Sequence, residues 1–151
     1  MNIMLNIYVD ADACPVKEEV LRVAMRHGLE VYMVSNSYLR PVNNRKVHII
    51  LVDSGADIAD DWIAQRSTDG DIVITADILL ADRCLKNKSD VISPAGKPFT
   101  DDNVGNAVAG RSVSAHLREM GVTTSNPPFS KQDRSRFLQT MEESIQKIKR
   151  R

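Results

Sequence analysis

Short apolar segments rich in Val and Ile alternate along the chain with segments of helical periodicity. The apolar segments span residues 3–9, 30–35, 47–52, 71–75 and 89–92. Each has the length of a strand, and most lack a polar residue at every second position, as is typical of parallel strands buried on both faces. The pattern therefore predicts a mostly parallel sheet.

Apolar residues at helical spacing separate these strands. Pro15 can begin a helix that Gly28 ends. Further helices are predicted over residues 57–66, 77–87, 102–120 and 130–149. Ser130 with Asp133 resembles a capping box at the start of the last helix. The alternation predicts an α/β fold, a three-layer α/β/α sandwich that forms a single domain over residues 1–151, with its C-terminal helix at about 130–149.

Composition limits the class of protein. The 151 residues are 42% apolar and 26% charged, an ordinary globular mix that excludes a disordered chain or a disulfide scaffold. No apolar stretch approaches the length of a membrane span, and the first residues lack the basic start of a signal peptide. Two distant cysteines, Cys14 and Cys84, predict reduced thiols and a cytoplasmic protein with no membrane partner.

Acidic residues are concentrated in the middle of the chain. Residues 53–102 carry five basic and eleven acidic residues, and all eleven are Asp. Residues 103–151 carry nine basic and four acidic residues. Such a separation suits an anionic substrate held by metal ions and a basic surface, although chance variation in surface charge is an equal alternative.

Aspartates follow three of the predicted strands. In open α/β sheets, ligands bind outside the carboxyl ends of the strands, so these carboxylates are expected to converge. Several carboxylates in one pocket repel each other, and a hard cation such as Mg²⁺ or Mn²⁺ relieves that repulsion with oxygen ligands. The candidate metal ligands are Asp10, Asp12, Asp57, Asp60 and Asp77, with Asp61 as an alternative to Asp60.

Each of these aspartates also has a structural interpretation. Asp12, Asp57 and Asp77 each lie where a helix N-cap is expected, a frequent role of Asp. Asp10 is harder to explain as a cap, because it abuts an apolar strand and Asp12 already offers the cap. Asp60 and Asp61 can each neighbour Asp57, and spacing alone does not choose between them.

Basic and polar residues supply candidates for binding a substrate. Arg111, Arg118 and Arg134 are embedded in predicted amphipathic helices, whereas Asn36 and Arg40 follow a strand. Clustered arginines of this kind bind a nucleic-acid backbone, so RNA or another nucleic acid is the expected partner.

Other chemistries lack their motifs. Cys14 lies near a predicted helix N-terminus, which can lower the pKa of a thiol, but no base follows it closely in sequence. The chain has no zinc-type Cys or His spacing and no glycine-rich phosphate loop.

The motifs resemble those of the uncharacterised bacterial YaiI/YqxD family, which is placed near the PIN-like nuclease domains. The resemblance begins at Asp10-Ala11-Asp12-Ala13-Cys14-Pro15 and covers nearly the full chain. It continues through residues 36–40, 57–63, 70–78 and 94–96, and then through Arg111, Leu117-Arg118, Gly121, Asp133-Arg134 and Phe137. One departure is Ser125-Asn126-Pro127-Pro128, where the family often has Thr-Gly-Gly-Pro.

The resemblance implies a PIN-like fold. It favours Asp60 over Asp61 as a site residue and gives Asp82 no expected role. It supplies no demonstrated activity, and fold does not fix function.

Three functions compete. The first is a metal-dependent nuclease in which the catalytic residues are Asp10, Asp12, Asp60 and Asp77, with Asp57 assisting. The second is a phosphatase of the haloacid-dehalogenase type, because Asp10-x-Asp12 and the pair Asp77 and Asp82 mimic its acidic motifs. The third is a non-catalytic module that binds RNA or a protein partner. Oligomeric state is not predictable from the sequence.

Overall fold

A six-stranded sheet forms the centre of the protein in a computed structural model, which describes residues 5–12, 14–55, 57–108 and 129–150. The strands are β1 (Asn6–Asp10), β2 (Glu30–Ser35), β3 (Val47–Leu51), β4 (Ile72–Ile74), β5 (Asp90–Ile92) and β6 (Pro98–Phe99). Their order across the sheet is β3-β2-β1-β4-β5-β6. Strands β1 to β5 are parallel, and β6 is antiparallel to β5. The predicted mostly parallel sheet is confirmed.

Helices flank both faces of this sheet. They are α1 (Lys17–His27), α2 (Ile58–Arg66), α3 (Ile78–Lys86), α4 (Asp101–Val108) and α5 (Lys131–Lys149). Gly28 ends α1 in the left-handed conformation, and Ser130 with Asp133 forms a capping box at the start of α5. Both features were predicted. The predicted continuation of α4 to residue 120 and the loop at 121–128 lie outside the described residues.

Alternating side chains of the strands build two hydrophobic cores. On one face, Ile7 and Val9 of β1 pack with residues of α1 and α5. On the other face, Tyr8 of β1 packs with residues of α2, α3 and α4. Both faces of β1 are therefore covered, and this explains why its sequence is almost continuously apolar.

The short strand β6 was not predicted, and its position depends on one glycine. Gly96 lies in the turn between β5 and β6 with φ +88°, a left-handed conformation. A Cβ at this position would lie 2.5 Å from backbone atoms of both Arg136 and Phe137 in α5. Thr140 of α5 donates a hydrogen bond to the Gly96 carbonyl at 2.6 Å. The Pro94-Ala95-Gly96 motif thus fixes α5 against the sheet.

The strand order creates a crevice at the carboxyl edge of the sheet. From β1 the chain passes to β2 and β3 on one side, and then returns to β4 on the other side of β1. Connections leave β1 and β4 in opposite directions, which opens a gap beyond their carboxyl ends where α/β proteins bind ligands. Asp10 ends β1, and Asp77 follows β4 by three residues.

Candidate functional site

Three carboxylates from different elements lie at this crevice. Asp10 comes from β1, Asp60 from the first turn of α2 and Asp77 from the N-cap of α3. The charge of Asp77 acts on both Asp10 and Asp60, and the charge of Asp10 also acts on Asp60. The prediction that aspartates after β1 and β4 approach each other is consistent with this arrangement.

Asp10 is more enclosed than Asp60. Burial raises its pKa to about 6; a hydrogen bond from Thr75 opposes that rise, and the charges of Asp77 and Asp12 add to it. The Thr75 hydroxyl donates to Asp10 Oδ2 at 2.8 Å and accepts from the backbone N–H of Asp77 at 3.0 Å. Thr75 therefore links the ends of β1 and β4 directly.

Asp60 and Asp77 share a hydrogen bond. Burial, the charges of Asp77 and Asp10 and this shared bond raise the pKa of Asp60 to about 7. Asp77 Oδ1 also accepts hydrogen bonds from the backbone N–H groups of Leu79 at 2.8 Å and Leu80 at 3.3 Å. Asp77 is therefore the N-cap of α3, and it meets Asp60 with the same carboxyl group.

Asp12 is held by the residues that end β2. Ser35 Oγ donates to Asp12 Oδ1 at 2.6 Å, and the backbone N–H of Asn36 donates to Oδ2 at 3.1 Å. Partial burial opposes ionisation of Asp12, but the hydrogen bonds from Ser35, Asn36 and Ser37 together with the Lys17 charge lower its pKa. Asp12 is therefore ionised and oriented, while it still contributes negative charge beside Asp10.

Asp57 and Asp61 lie on either side of Asp60 in the chain. Asp57 is exposed at the N-cap position of α2 with φ 71°, and its side chain makes no capping hydrogen bond. Asp61 accepts from Arg83 at 2.8 Å, and both of these side chains are largely exposed. Of the two consecutive aspartates, Asp60 is the one in contact with Asp77, which agrees with the resemblance-based choice.

The predicted substrate-binding residues fall into three groups. Asn36 and Arg40 are exposed in the segment after β2. The backbone N–H of Asn36 also contacts Asp12. Arg134 donates to Glu19 Oε2 at 3.0 Å and to the Pro15 carbonyl at 3.3 Å, so it joins α5 to the start of α1. Arg111 and Arg118 lie outside the described residues.

Three polar residues at the crevice were not among the predicted site residues. Thr75 and Ser35 are buried and each donates to an aspartate, whereas Lys17 Nζ donates to the carbonyls of Ala11 and Cys14 at 3.2 Å. The sequence signal for Thr75 and Ser35 is their position directly after β4 and at the end of β2. Lys17 has no sequence signal, because lysine is common in the first turns of exposed helices.

Two features weigh against other chemistries. Cys14 is buried, and burial raises the pKa of its thiol, which opposes the lowering that a helix N-terminus can cause. Asp82 accepts from Lys86 at 3.0 Å along α3, which gives the phosphatase hypothesis no support.

The fit of the crevice to a divalent cation is partial. Its donors are all oxygens, the ligand type that Mg²⁺ and Mn²⁺ prefer. Within the described ranges, however, no three or more His, Cys, Asp or Glu side chains form a group that could hold a metal ion. Asp12 uses both oxygens to accept hydrogen bonds, and Asp77 Oδ1 is occupied by α3. Asp10 and Asp60 have the fewest competing partners.

Large apolar side chains are exposed around the same edge. Tyr38 follows β2 and is 79% exposed, Leu51 ends β3 and is 66% exposed, and Leu79 in the first turn of α3 is 60% exposed. Ile58 in the first turn of α2 is also exposed. We call these four residues the apolar rim. Exposed large apolar side chains are candidates for contact with a binding partner.

Together the fold and this crevice define a parallel α/β protein with an acidic centre at the topological switch point. Residues 8–147 match the family model described as "Uncharacterized BCR, YaiI/YqxD family". The chain therefore belongs to this family, as its motifs indicated. No helix in the described part of the chain has the length and apolar character needed to cross a membrane.

Relatives match along almost their whole length. The chain is 51% identical over 149 residues to a UPF0178 protein of Parvibaculum lavamentivorans, a match that covers 98% of each chain. It is 52% identical over 145 residues to a UPF0178 protein of Rhizobium meliloti, covering 95% of this chain and 99% of the relative. A UPF0178 protein of Sphingopyxis alaskensis is 52% identical over 146 residues, with 95% of each chain covered. No solved structure matches the chain.

Proposed function

We propose that this protein is a metal-dependent nuclease that hydrolyses phosphodiester bonds, with RNA as its substrate class. The observation that carries the proposal is the meeting of Asp10, Asp60 and Asp77 from three elements at the crevice between β1 and β4. Carboxylates brought together without a neutralising partner require a counter-charge for all of them to ionise. The free thiols Cys14 and Cys84 fit a cytoplasmic location for such an enzyme.

Each residue has a defined task in this proposal. Asp10 and Asp60 would hold Mg²⁺ or Mn²⁺, while Asp12, Asp57 and Asp77 would add negative charge around them to attract the cation. A bound divalent cation supplies charge neutralisation for the attacking and leaving oxygens of phosphodiester hydrolysis. Thr75 holds Asp10 Oδ2 in place, and Ser35 orients Asp12. Asn36 is exposed next to Asp12, and Arg40 is exposed four residues further along the chain, so both are available to contact a phosphate backbone.

The test compares Asp10→Asn and Asp60→Asn with wild type on labelled single-stranded RNA, in Mn²⁺, in Mg²⁺ and in EDTA. Asp61→Asn is the matched control, because Asp61 is adjacent in sequence but pairs with Arg83. We expect cleavage by wild type and Asp61→Asn only with metal. Loss of one preorganised electrostatic group lowers a reaction rate by about 100-fold or more. We therefore expect the cleavage rates of Asp10→Asn and Asp60→Asn to fall by that factor.

Metal-dependent cleavage at the wild-type rate in both crevice variants would refute the proposal. Circular dichroism of each variant excludes unfolding as the cause of a loss.

The alternative function is a module that binds RNA or a protein partner without catalysis. It is favoured by the apolar rim and by the hydrogen bonds that already occupy Asp12 and Asp77. Retention of RNA in EDTA, with no cleavage in any divalent cation, is the result that this alternative predicts.

A further inference from the structure

Three aromatic rings form a continuous stack across one face of the sheet. Tyr8 of β1, Tyr32 of β2 and His48 of β3 are direct neighbours in the strand register. The ring centroids of Tyr8 and Tyr32 are 5.2 Å apart, and those of Tyr32 and His48 are 4.7 Å apart. The interplanar angles are 18° and 20°, so the three planes are nearly parallel. We call this group the ring stack.

Helix α2 packs over the inner part of the ring stack. Trp62 lies 6.1 Å from Tyr8 and 6.0 Å from Tyr32, with its ring tilted to both. The Arg66 guanidinium lies 4.0 Å from the centre of the Trp62 ring. Arg66 is exposed, so this side of the ring stack carries a cation on an aromatic surface.

The outer end of the ring stack faces away from the sheet. Among the residues that the structure describes, β3 is the edge strand of the sheet, and no described strand pairs with it beyond His48. The His48 side chain is 36% exposed, and its Nε2 is 2.8 Å from Glu30 Oε1, which fixes the plane of the ring. Lys46, directly before β3, pairs with Glu30 at 3.8 Å and donates to the Gly28 carbonyl at 3.1 Å, whereas Arg45 is an exposed cation. An ordered aromatic face is thereby presented at the sheet edge, with the Glu30 carboxylate at its Nε2 and Arg45 three residues earlier in the chain.

We propose that the outer face of His48 stacks an unpaired nucleobase of a single-stranded nucleic acid. Aromatic side chains beside cations are the usual means of binding single strands, because every base has a π-face and every nucleotide a phosphate. Duplex bases are already stacked on both faces, so a single strand is the occupant that the open end of the ring stack fits.

The subsite is connected to the acidic crevice by the strand register. Asp10 lies two residues beyond Tyr8 on β1, and His48 lies two strands across from Tyr8. Strand spacing and rise place the Cα atom of His48 about 12 Å from the Cα atom of Asp10. A short oligonucleotide can bridge this distance. The link to cleavage rests on the proposed function, whereas base stacking on His48 does not.

The test measures binding of fluorescein-labelled single-stranded oligoribonucleotides in EDTA, so that no metal-dependent cleavage takes place. Anisotropy gives the Kd, and quenching of Trp62, the single tryptophan, gives a second readout close to the ring stack. His48→Ala removes the stacking face, and His48→Phe is the matched control that keeps it. We expect about a 10-fold weaker Kd for His48→Ala and less than about a 2-fold change for His48→Phe.

Three results would overturn the inference. They are an unchanged Kd in His48→Ala, equal affinity for a duplex or an abasic oligonucleotide, and no binding of any oligonucleotide. Asp10→Asn separates the two proposals, because it is expected to lose cleavage while it retains binding in EDTA. If His48→Ala weakens oligonucleotide binding and the wild type cleaves no RNA, base stacking on His48 is supported and only the nuclease proposal is refuted.

Discussion

Carboxylates at the two ends of strand β4 have opposite electrostatic surroundings. At the amino end, Asp71 is 2% exposed, and its two oxygens accept the backbone N–H groups of Asn6 at 3.1 Å and Thr68 at 3.0 Å. At the carboxyl end, Asp77 meets Asp60 and lies within charge range of Asp10. The same strand therefore separates an acid that is satisfied by the backbone from acids that repel one another.

This difference distinguishes a structural carboxylate from the carboxylates of the candidate site. Burial raises the pKa of Asp71, its two backbone hydrogen bonds act against that rise, and the charge of Asp69 adds to it. For Asp60, the neighbouring aspartates add to the effect of burial. A raised pKa alone does not identify a site, whereas like charges gathered from several elements do so more selectively.

The largest expected difference in stability is at Asp71. Asp71→Asn replaces one accepting oxygen by an NH₂ group, which then faces a buried backbone N–H. An unsatisfied buried donor costs about 2–3 kcal/mol, so the free energy of unfolding is expected to fall by that amount. Urea unfolding at pH 7 measures the change. A loss below about 0.5 kcal/mol would show that the backbone bonds to Asp71 contribute little.

A smaller effect is expected from divalent cations at the opposite end of β4. A ligand that binds only the folded state at ten times its Kd raises the free energy of unfolding by about 1.4 kcal/mol. We expect Mn²⁺ to raise the melting temperature of wild type and Asp71→Asn at pH 8, but not that of Asp10→Asn. The shift should shrink at pH 5, because protonation of Asp10 and Asp60 competes with the cation. An equal shift in Asp10→Asn would place the cation elsewhere.

The pH dependence of stability compares the same carboxylates without metal. Unfolded aspartates are ionised above about pH 5. Folded Asp10 and Asp60 still hold protons there and release them near their pKa values of about 6 and about 7. The folded state thus binds more protons, so the free energy of unfolding falls as pH rises from 5 to 8. Burial of Asp71, which also raises its pKa, adds to this decline.

Asp10→Asn is expected to reduce this decline. The variant removes one of the groups that must ionise, which makes it relatively more stable at pH 8 by about 1 kcal/mol. Chemical unfolding of wild type and variant at pH 5 and pH 8 gives the difference. A steeper decline in the variant would contradict the assigned direction for Asp10.

The smallest effect is expected at Asp61. Asp61 and Arg83 are exposed at 50% and 43% of their side chains, and an ion pair of this kind contributes about 0.2–1 kcal/mol. Asp61→Asn should therefore lower the free energy of unfolding by less than about 1 kcal/mol, as measured by urea unfolding at pH 7. A larger loss would contradict this expectation.

Most of the fold was predictable because its strands are buried on both faces. The 30–35 strand and the capping box at Ser130 have the predicted positions, since each depends on local sequence alone. The two-residue strand β6 was not predicted, because its pairing depends on a turn held by Gly96 against α5. That contact joins residues about 40 positions apart, which no local pattern encodes.

The site was predictable to the level of which strand ends carry acids. Position after a parallel strand was sufficient to select Asp10 and Asp77. The choice between Asp60 and Asp61 was open from spacing, because it depends on the rotation of α2 relative to the sheet. Lys17 was missed for a similar reason, since its contact with the Ala11 carbonyl depends on how the chain turns between β1 and α1.

Helix α5 supplies Phe137, Met141, Ile145 and Ile148 to the core that lies against β1. The ribosome synthesises the chain from its N-terminus, so β1 leaves the exit tunnel long before the residues of α5 are made. Until α5 emerges, Ile7 and Val9 lack the apolar side chains of that helix in the core they share, and the nascent chain is open to aggregation. Folding of this core therefore has to wait for the synthesis of α5, and a chain without residues 131–149 becomes a client of chaperones and proteases.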